Sequence, residues 1–403
     1  MSNVKAEHRT QLLEALIAAL SVAPKARSAD EGLFFAVITL RDVPGMALDE
    51  LQRLLAVIQS IPELAIFGGT RQCGPCGAWT VDMYFLIRWL LSRAQLVGPD
   101  TATSDLERYL STESLDLVET LAFDGLDVPA VASVRDFEIV PWQALPTTDT
   151  KWRIGRDSLF GRLPPTAAIR RRWQVPRLGL QSSYEGGEPA AYSFDPMQDV
   201  LRCVTATIGA AIRLTHWWFE PPEWAPWAVT QSRFVGDDMN LAPAATLTNE
   251  VLPQLCACAD GFAALDEPKR QHLRVTLDRL NRSLLSWPRS VDAAIDLGIA
   301  LESLYAPRKM SEATAYAVRT RAAKFLGGTA DERHATLEQI RDVYDLRSCA
   351  VHAGRFDGDG AKKKWRDATA VDYAIKKGQE LAGRSLVKVI VEGEPDWEKF
   401  DLS

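Results

Sequence analysis

Residues 331–352 read DERHATLEQIRDVYDLRSCAVH. Leu337, Ile340, Tyr344 and Val351 recur at three-, four- and seven-residue spacing, which is the period of an amphipathic helix. Gly354 follows and can end that helix. The position between Tyr344 and Val351 belongs to the same seam, and it holds Arg347. A guanidinium on an inward stripe is costly unless it is paired. The preceding helical pattern, residues 290–305, carries the complement. Val291, Ile295, Gly298 and Tyr305 form one stripe, and Glu302 interrupts it. Arg347 and Glu302 are therefore expected to meet as a bidentate pair. His352, five residues after Arg347, is expected at the helix end, where solvent and ligand reach it.

The chain beyond residue 246 reads as helix almost throughout. Leu273, Leu277, Leu280, Leu284 and Trp287 repeat at helical spacing, and further helical patterns cover 311–326 and 361–391. Breaks fall at Pro288, Pro307, the Gly327-Gly328 pair and 354–360. Short loops between four or five helices predict a helical bundle over 246–403. Residues 1–120 also read mainly as helix, at 12–20, 48–61, 80–96 and 104–121, with 33–40 as a buried strand. Residues 121–245 are punctuated by proline and predict an irregular α+β unit, with a strand at 137–140 and a helical pattern over 197–219. The polar segment 237–248 is the expected boundary. The fold class is thus an α-rich α+β protein, with a mixed N-terminal region (1–120 and 121–245) ahead of a C-terminal helical bundle.

The whole-chain numbers narrow the function classes. The chain has 403 residues, 47% of them hydrophobic and 25% charged, as in a globular protein rather than a disordered one. Its formal net charge is −7, so any nucleic-acid contact must come from a local patch. The N-terminal pattern lacks a signal-peptide core, and the most apolar stretch, 84–91, is too short for a bilayer. A cytoplasmic protein with no membrane association is expected. Six unevenly spaced cysteines do not describe a secreted disulfide framework.

Arg347-Ser-Cys-Ala-Val-His352 resembles the Arg-x4–6-His signature of HEPN-superfamily ribonucleases. The order of Asp296-Leu-Gly-Ile-Ala-Leu-Glu302, Arg321-Ala-Ala-Lys-Phe-Leu326, Tyr344 ahead of Arg347-Ser348, and Val351-His352-Ala-Gly354 is similar to the Apea-like HEPN branch of bacterial anti-phage defence. The resemblance covers roughly residues 250–395. It implies a HEPN-like bundle that forms a homodimer and cleaves RNA without metal or cofactor, leaving 2′,3′-cyclic phosphate ends. His352 would be the general acid/base, Arg347 would stabilise the phosphoryl transition state, and Glu302 would hold Arg347. Ser348 and Tyr344 would support them. Ser348 departs from the Asn, Asp or His often found after the motif arginine. The residue types suit this chemistry. His titrates near neutrality, and Arg presents a fixed fork of donors to phosphoryl oxygens. One protomer supplies one such His, so a second copy would complete the site.

Lys362, Lys363, Lys364 and Arg366 form a basic run after the loop that follows His352, a candidate contact for the RNA backbone. A second run, Arg170–Arg172, reads as a solvated helix face. Cys73-Gly-Pro-Cys76 has the letters of a redox dithiol, and a helix start after it could activate Cys73; a tight turn is the plainer reading. Those two cysteines with Cys256 and Cys258 make a poorly spaced zinc set. His216-Trp217-Trp218-Phe219, with Trp224 and Trp227, reads as core or as a recognition surface. His8, His272 and His334 read as exposed residues without partners. The expected function is a toxic RNA endonuclease of anti-phage defence, with a phage-derived trigger sensed by the N-terminal region. A non-catalytic HEPN nucleotide-binding or regulatory scaffold, and a CGPC thiol redox protein, are the alternatives.

Overall fold

Leu115, Leu117, Leu121 and Phe123 alternate along Ser114–Asp124, and the segment is a strand rather than the end of a helix. It is the pivot of the N-terminal half. In the computed structural model the described residues are 5–23, 48–68, 70–74, 77–148, 150–151, 154–155, 163–176, 194–226, 233–236, 241, 245–286, 290–306, 314–357 and 362–402. The expected strand at 33–40 lies outside them, as does Trp227.

Four helices come first: α1 (Ala6–Val22), α2 (Leu48–Ser60), α3 (Met83–Val97) and α4 (Pro99–Ser111). A hairpin of β1 (Thr70–Gly74) and β2 (Gly77–Val81) precedes α3, with Gly74 opposite Gly77. The helical expectation over 80–96 therefore starts late, at Met83, where Asp82 accepts the Phe85 amide as an N-cap. The expectation over 104–121 is overturned in its second half. Helix α4 ends at Ser111, and β3 (Ser114–Asp124) follows. Mixed spacing in SLDLVETLAFD satisfies both periods, and pairing on two sides selects the strand.

The other strands are β4 (Leu126–Asp127), β5 (Ala132–Val134), β6 (Phe137–Pro141), β7 (Ala167–Pro176), β8 (Arg213–Glu220), β9 (Arg233–Phe234) and β10 (Ala245–Thr246). Six of the strands form an antiparallel sheet in the order β5-β6-β7-β3-β8-β9. The expected strand at 137–140 is β6. The helical pattern over 197–219 splits into α5 (Asp195–Ile208), which ends at a left-handed Gly209, and β8. Trp217 and Phe219 face the main core with Leu121, while Trp218 packs on the opposite face with Trp142 and Ala168. The aromatic run is thus core. The Arg170–Arg172 run lies on β7 and not on a helix. Arg170 pairs with Glu138 at 2.7 Å, and Arg171 donates to Glu119 at 2.6 Å. Glu119 is buried, accepts the Trp217 indole N–H at 2.8 Å, and has its carboxyl pushed up by burial against the pull of Arg171.

The C-terminal half is helical: α6 (Leu252–Ala264), α7 (Glu267–Leu285), α8 (Val291–Tyr305), α9 (Thr314–Leu326), α10 (Ala330–Ala353), α11 (Ala368–Glu392) and α12 (Trp397–Leu402). The molecule is thus helix-rich, with an antiparallel sheet in its N-terminal half. The helix expected at 361–391 begins only at Ala368; a short 3-10 turn, Lys363–Arg366, comes first. Glycines set the closest approaches. A Cβ at Gly378 would lie 2.5 Å from Val343 Cγ2 and 2.7 Å from Leu297 Cδ2, so α11 packs directly on α8 and α10.

Helix α5 lies ahead of residue 246 yet packs into the bundle against α6, α7 and α11. Asn281 of α7 bonds both the N–H and the C=O of Ile212, each at 2.8 Å, as a strand neighbour would. Arg202 bridges Asp199 and Asp278, and Arg274 reaches Asp199. The short strand β10 pairs in parallel with β4 inside the segment expected as the boundary. Among the described residues no helix is long and apolar enough to cross a membrane.

Removing Arg171 would leave Glu119 buried without its cation. Arg171→Ala is expected to cost about 3–5 kcal/mol, read as a lowered urea midpoint at unchanged m value. A loss under about 1 kcal/mol would mean that the carboxylate finds water instead.

Candidate active site

The site is built at the C-terminal end of α10. Thr329 and Glu332 start this helix with a reciprocal capping box, and Gly354, in the left-handed conformation at φ 64°, stops it. Past that turn Phe356 folds back into a small apolar cluster with Leu346, Ala350, Trp365, Val371 and Ala293. This cluster fixes the last two turns of α10 against α8 and the start of α11.

The seam of α10 differs from the expectation. Its buried members are Thr336, Ile340, Val343, Leu346 and Ala350; Leu337 and Tyr344 are half-buried, and Val351 is 58% exposed. Arg347 therefore lies at the margin of the interface and not at its centre. On α8 the same holds for Glu302, which flanks the buried Leu301, Leu304 and Tyr305. The two meet all the same. Arg347 Nη1 donates to Glu302 Oε1 at 2.7 Å, a single contact in place of the expected bidentate one. Their side chains are 29% and 22% exposed. At such a margin, desolvation is modest and the Coulomb gain is partly screened.

Two further residues shape this pair. The Tyr344 hydroxyl donates to the same Glu302 Oε1 at 3.3 Å. Burial, and then the negative charge of Glu302, push its phenol well above the usual range, so it stays a protonated donor. Gly298 makes room for the Arg347 stem. A Cβ there would stand 2.3 Å from Arg347 Cδ and 3.0 Å from Nε. The glycine was visible in the α8 stripe, but its purpose appears only when α10 is laid across it. Arg347 Nε is itself buried and has no hydrogen-bond partner among the described residues.

Ser348 and His352 are exposed, one turn apart on the same face of α10. On an ideal helix, His352 lies about 7.5 Å further along the axis than Arg347 and about 140° around it. His352 is thus carried on a different side of α10 from Arg347, and among the described residues its imidazole has no hydrogen-bond partner. The remaining expected contacts, Lys362, Lys363, Lys364 and Arg366, are all exposed. They do not form an open basic patch: Lys362 pairs with Asp345 and Lys364 with Asp342, both on α10.

The rival motifs are placed elsewhere. Cys73 lies in β1, and β2 intervenes before α3, so it does not sit at a helix N-terminus. Cys76 is outside the described residues. Among the described residues no cluster of His, Cys, Asp and Glu could hold a metal ion. Two of the histidines expected to be unpartnered have partners: His8 meets Glu63 at 3.3 Å, and His272 meets the Ser303 carbonyl at 3.0 Å.

Gly298→Ala is expected to destabilise the protein by about 1–3 kcal/mol through collision with Arg347, although alanine is the better helix former. In an Arg347→Ala background the same change should become neutral or stabilising. Equal costs in the two backgrounds, measured by chemical unfolding, would show that the crowding lies elsewhere. Compared with models of known protein families, with curated proteins and with solved structures, the chain matches none.

Proposed function

We propose that this chain is a HEPN-type RNA endonuclease that works without a metal ion, with Arg347 and His352 as its reacting pair. The observation that carries the reading is the anchored, incompletely used guanidinium of Arg347, set a turn and a half before an exposed His352. Glu302 takes one of the five donors an arginine offers, which orients the group without exhausting it.

In the proposed reaction the 2′-hydroxyl of RNA attacks the adjacent phosphorus. His352 takes the hydroxyl proton, and Arg347 stabilises the charge that develops on the phosphoryl oxygens. The bond from phosphorus to the 5′-oxygen breaks, and that oxygen needs a proton. The products are a 2′,3′-cyclic phosphate and a 5′-hydroxyl. Because Arg347 and His352 of one protomer diverge around α10, a second copy of the chain is needed both to set a guanidinium beside the attacking imidazole and to supply the acid. Exposed Val351, beside His352, suits such a contact. Glu302 and Tyr344 act as positioning residues through Arg347, and Ser348 lies on the His352 face.

We further propose, on the resemblance of residues 250–395, that the nuclease is a toxic effector of anti-phage defence, with the sheet-bearing half restraining it until a phage-derived trigger arrives. Helix α5, set into the bundle, gives that half a direct mechanical hold on α7 and α11. A non-catalytic nucleotide-binding scaffold would use the same Arg347–Glu302 pair only to hold α10 on α8.

Incubation of the purified chain with single-stranded RNA in EDTA separates the two. Cleavage with cyclic phosphate ends is expected, lost by at least about 10²-fold in His352→Ala and in Arg347→Ala. His352→Ala should melt like the parent protein, since the imidazole is exposed. Unchanged cleavage in either variant, or none in the parent protein together with its trigger, would end the nuclease reading.

A further inference from the structure

Asp345, Ser348 and His352 share one face of α10, and Asp342 lies one turn behind Asp345. Against that face runs the turn Lys363–Arg366 with Lys362 ahead of it. The turn is held in two ways. Trp365, 3% exposed, is its apolar anchor, packed with Leu346, Ala350 and Phe356. The ion pairs Lys362–Asp345 and Lys364–Asp342 are its polar contacts, and Lys364 also rides over the Trp365 ring at 4.2 Å.

These two attachments differ in strength. A buried indole is an apolar anchor that salt does not weaken. An exposed ion pair contributes much less and weakens with salt. Lys362 and Lys364 are 48% and 40% exposed. The turn would therefore stay in place with both pairs open. A carboxylate and a phosphate offer an ammonium group the same kind of acceptor, and the phosphates of an RNA strand come as a closely spaced row. In the closed form the four-cation run is half neutralised. Lys363 and Arg366 are its members without an ion pair among the described residues, on a chain of net charge −7.

We propose that Asp342 and Asp345 are built-in competitors of the RNA backbone: they occupy Lys362 and Lys364 in the free protein, and substrate phosphates displace them when RNA docks along the His352 face. This rests on the RNase reading and adds to it a phosphate track and the means by which its affinity is held down. Each phosphate on the track must break a pair and leave a carboxylate beside the RNA, so affinity along the track is held down.

The test is RNA affinity of the full chain in the His352→Ala background, which prevents cleavage, measured by fluorescence anisotropy with a labelled single-stranded oligonucleotide at low salt. D342N/D345N should bind roughly three- to tenfold more tightly, and K362Q/K364Q should bind more weakly with a shallower salt slope. In the quadruple variant the Asp substitutions should no longer help, because the cations they compete for are gone. A gain of the same size in both backgrounds would reduce the effect to general charge and overturn the proposal. So would no gain, or weaker binding in D342N/D345N, which would make the ion pairs supports of the track. If RNA is bound but insensitive to these four residues, the competitor idea fails and the nuclease reading stands. If no variant binds RNA at any salt concentration, both fail. Thermal melts of each variant check that Trp365 keeps the turn folded.

Discussion

An arginine at the edge of a helix–helix seam needs two things, a carboxylate within reach and space for its aliphatic stem. Helix α8 supplies both from one face. Glu302 meets the guanidinium at 2.7 Å, and Gly298, one turn earlier, removes the Cβ that would stand 2.3 Å from Arg347 Cδ. The same close approach recurs at Gly378, where α11 presses on Val343 and Leu297. The second half of α10 is thus held from two sides, by α8 at Arg347 and by α11 at Val343, and His352 in its last turn is exposed. The site depends on this tight crossing: without Gly298 the pair opens, and without the pair the guanidinium has no fixed direction.

The sheet-bearing half is not a loosely tethered addition. Helix α5 inserts among the bundle helices, and Asn281 grips the backbone of Ile212 as an adjacent strand would. Leading from α5 into β8, the chain carries Trp217 and Trp218 into both faces of the sheet. Main-chain and side-chain contacts therefore run without a break from the sheet core to α7, the neighbour of α8. The polar network of Asp199, Arg202, Arg274 and Asp278 lines the same junction. Ion pairs there are half-buried, so they specify the docking more than they strengthen it.

Much of the bundle could be read from residues alone. Strong helical spacing, the Gly327-Gly328 break before it and Gly354 as a stop are local signals, and they place α10 within a residue or two. The meeting of Arg347 with Glu302 was also legible, because two polar residues interrupting neighbouring seams have few other ways to be satisfied. Their depth was not. The 3.6-residue period drifts around a long helix, so membership of a nominal stripe does not distinguish its centre from its margin. The strands β3 and β8 were misread for a related reason. Segments with apolar residues at both odd and three-residue spacing fit either state, and only partners on both sides select the extended one.

Legible in the residues alone were the helical class of the C-terminal half, both ends of α10, and the identity and order of Glu302, Arg347 and His352. These follow from local periodicity and capping, which need no knowledge of distant contacts. Tertiary structure alone decided that Arg347 sits at a margin over Gly298, that the Arg170–Arg172 run belongs to a sheet, and that Lys362 and Lys364 are closed on Asp345 and Asp342. Each of those depends on which surfaces meet across many residues. Burial and charge pairing are set by that meeting, and no single segment carries it.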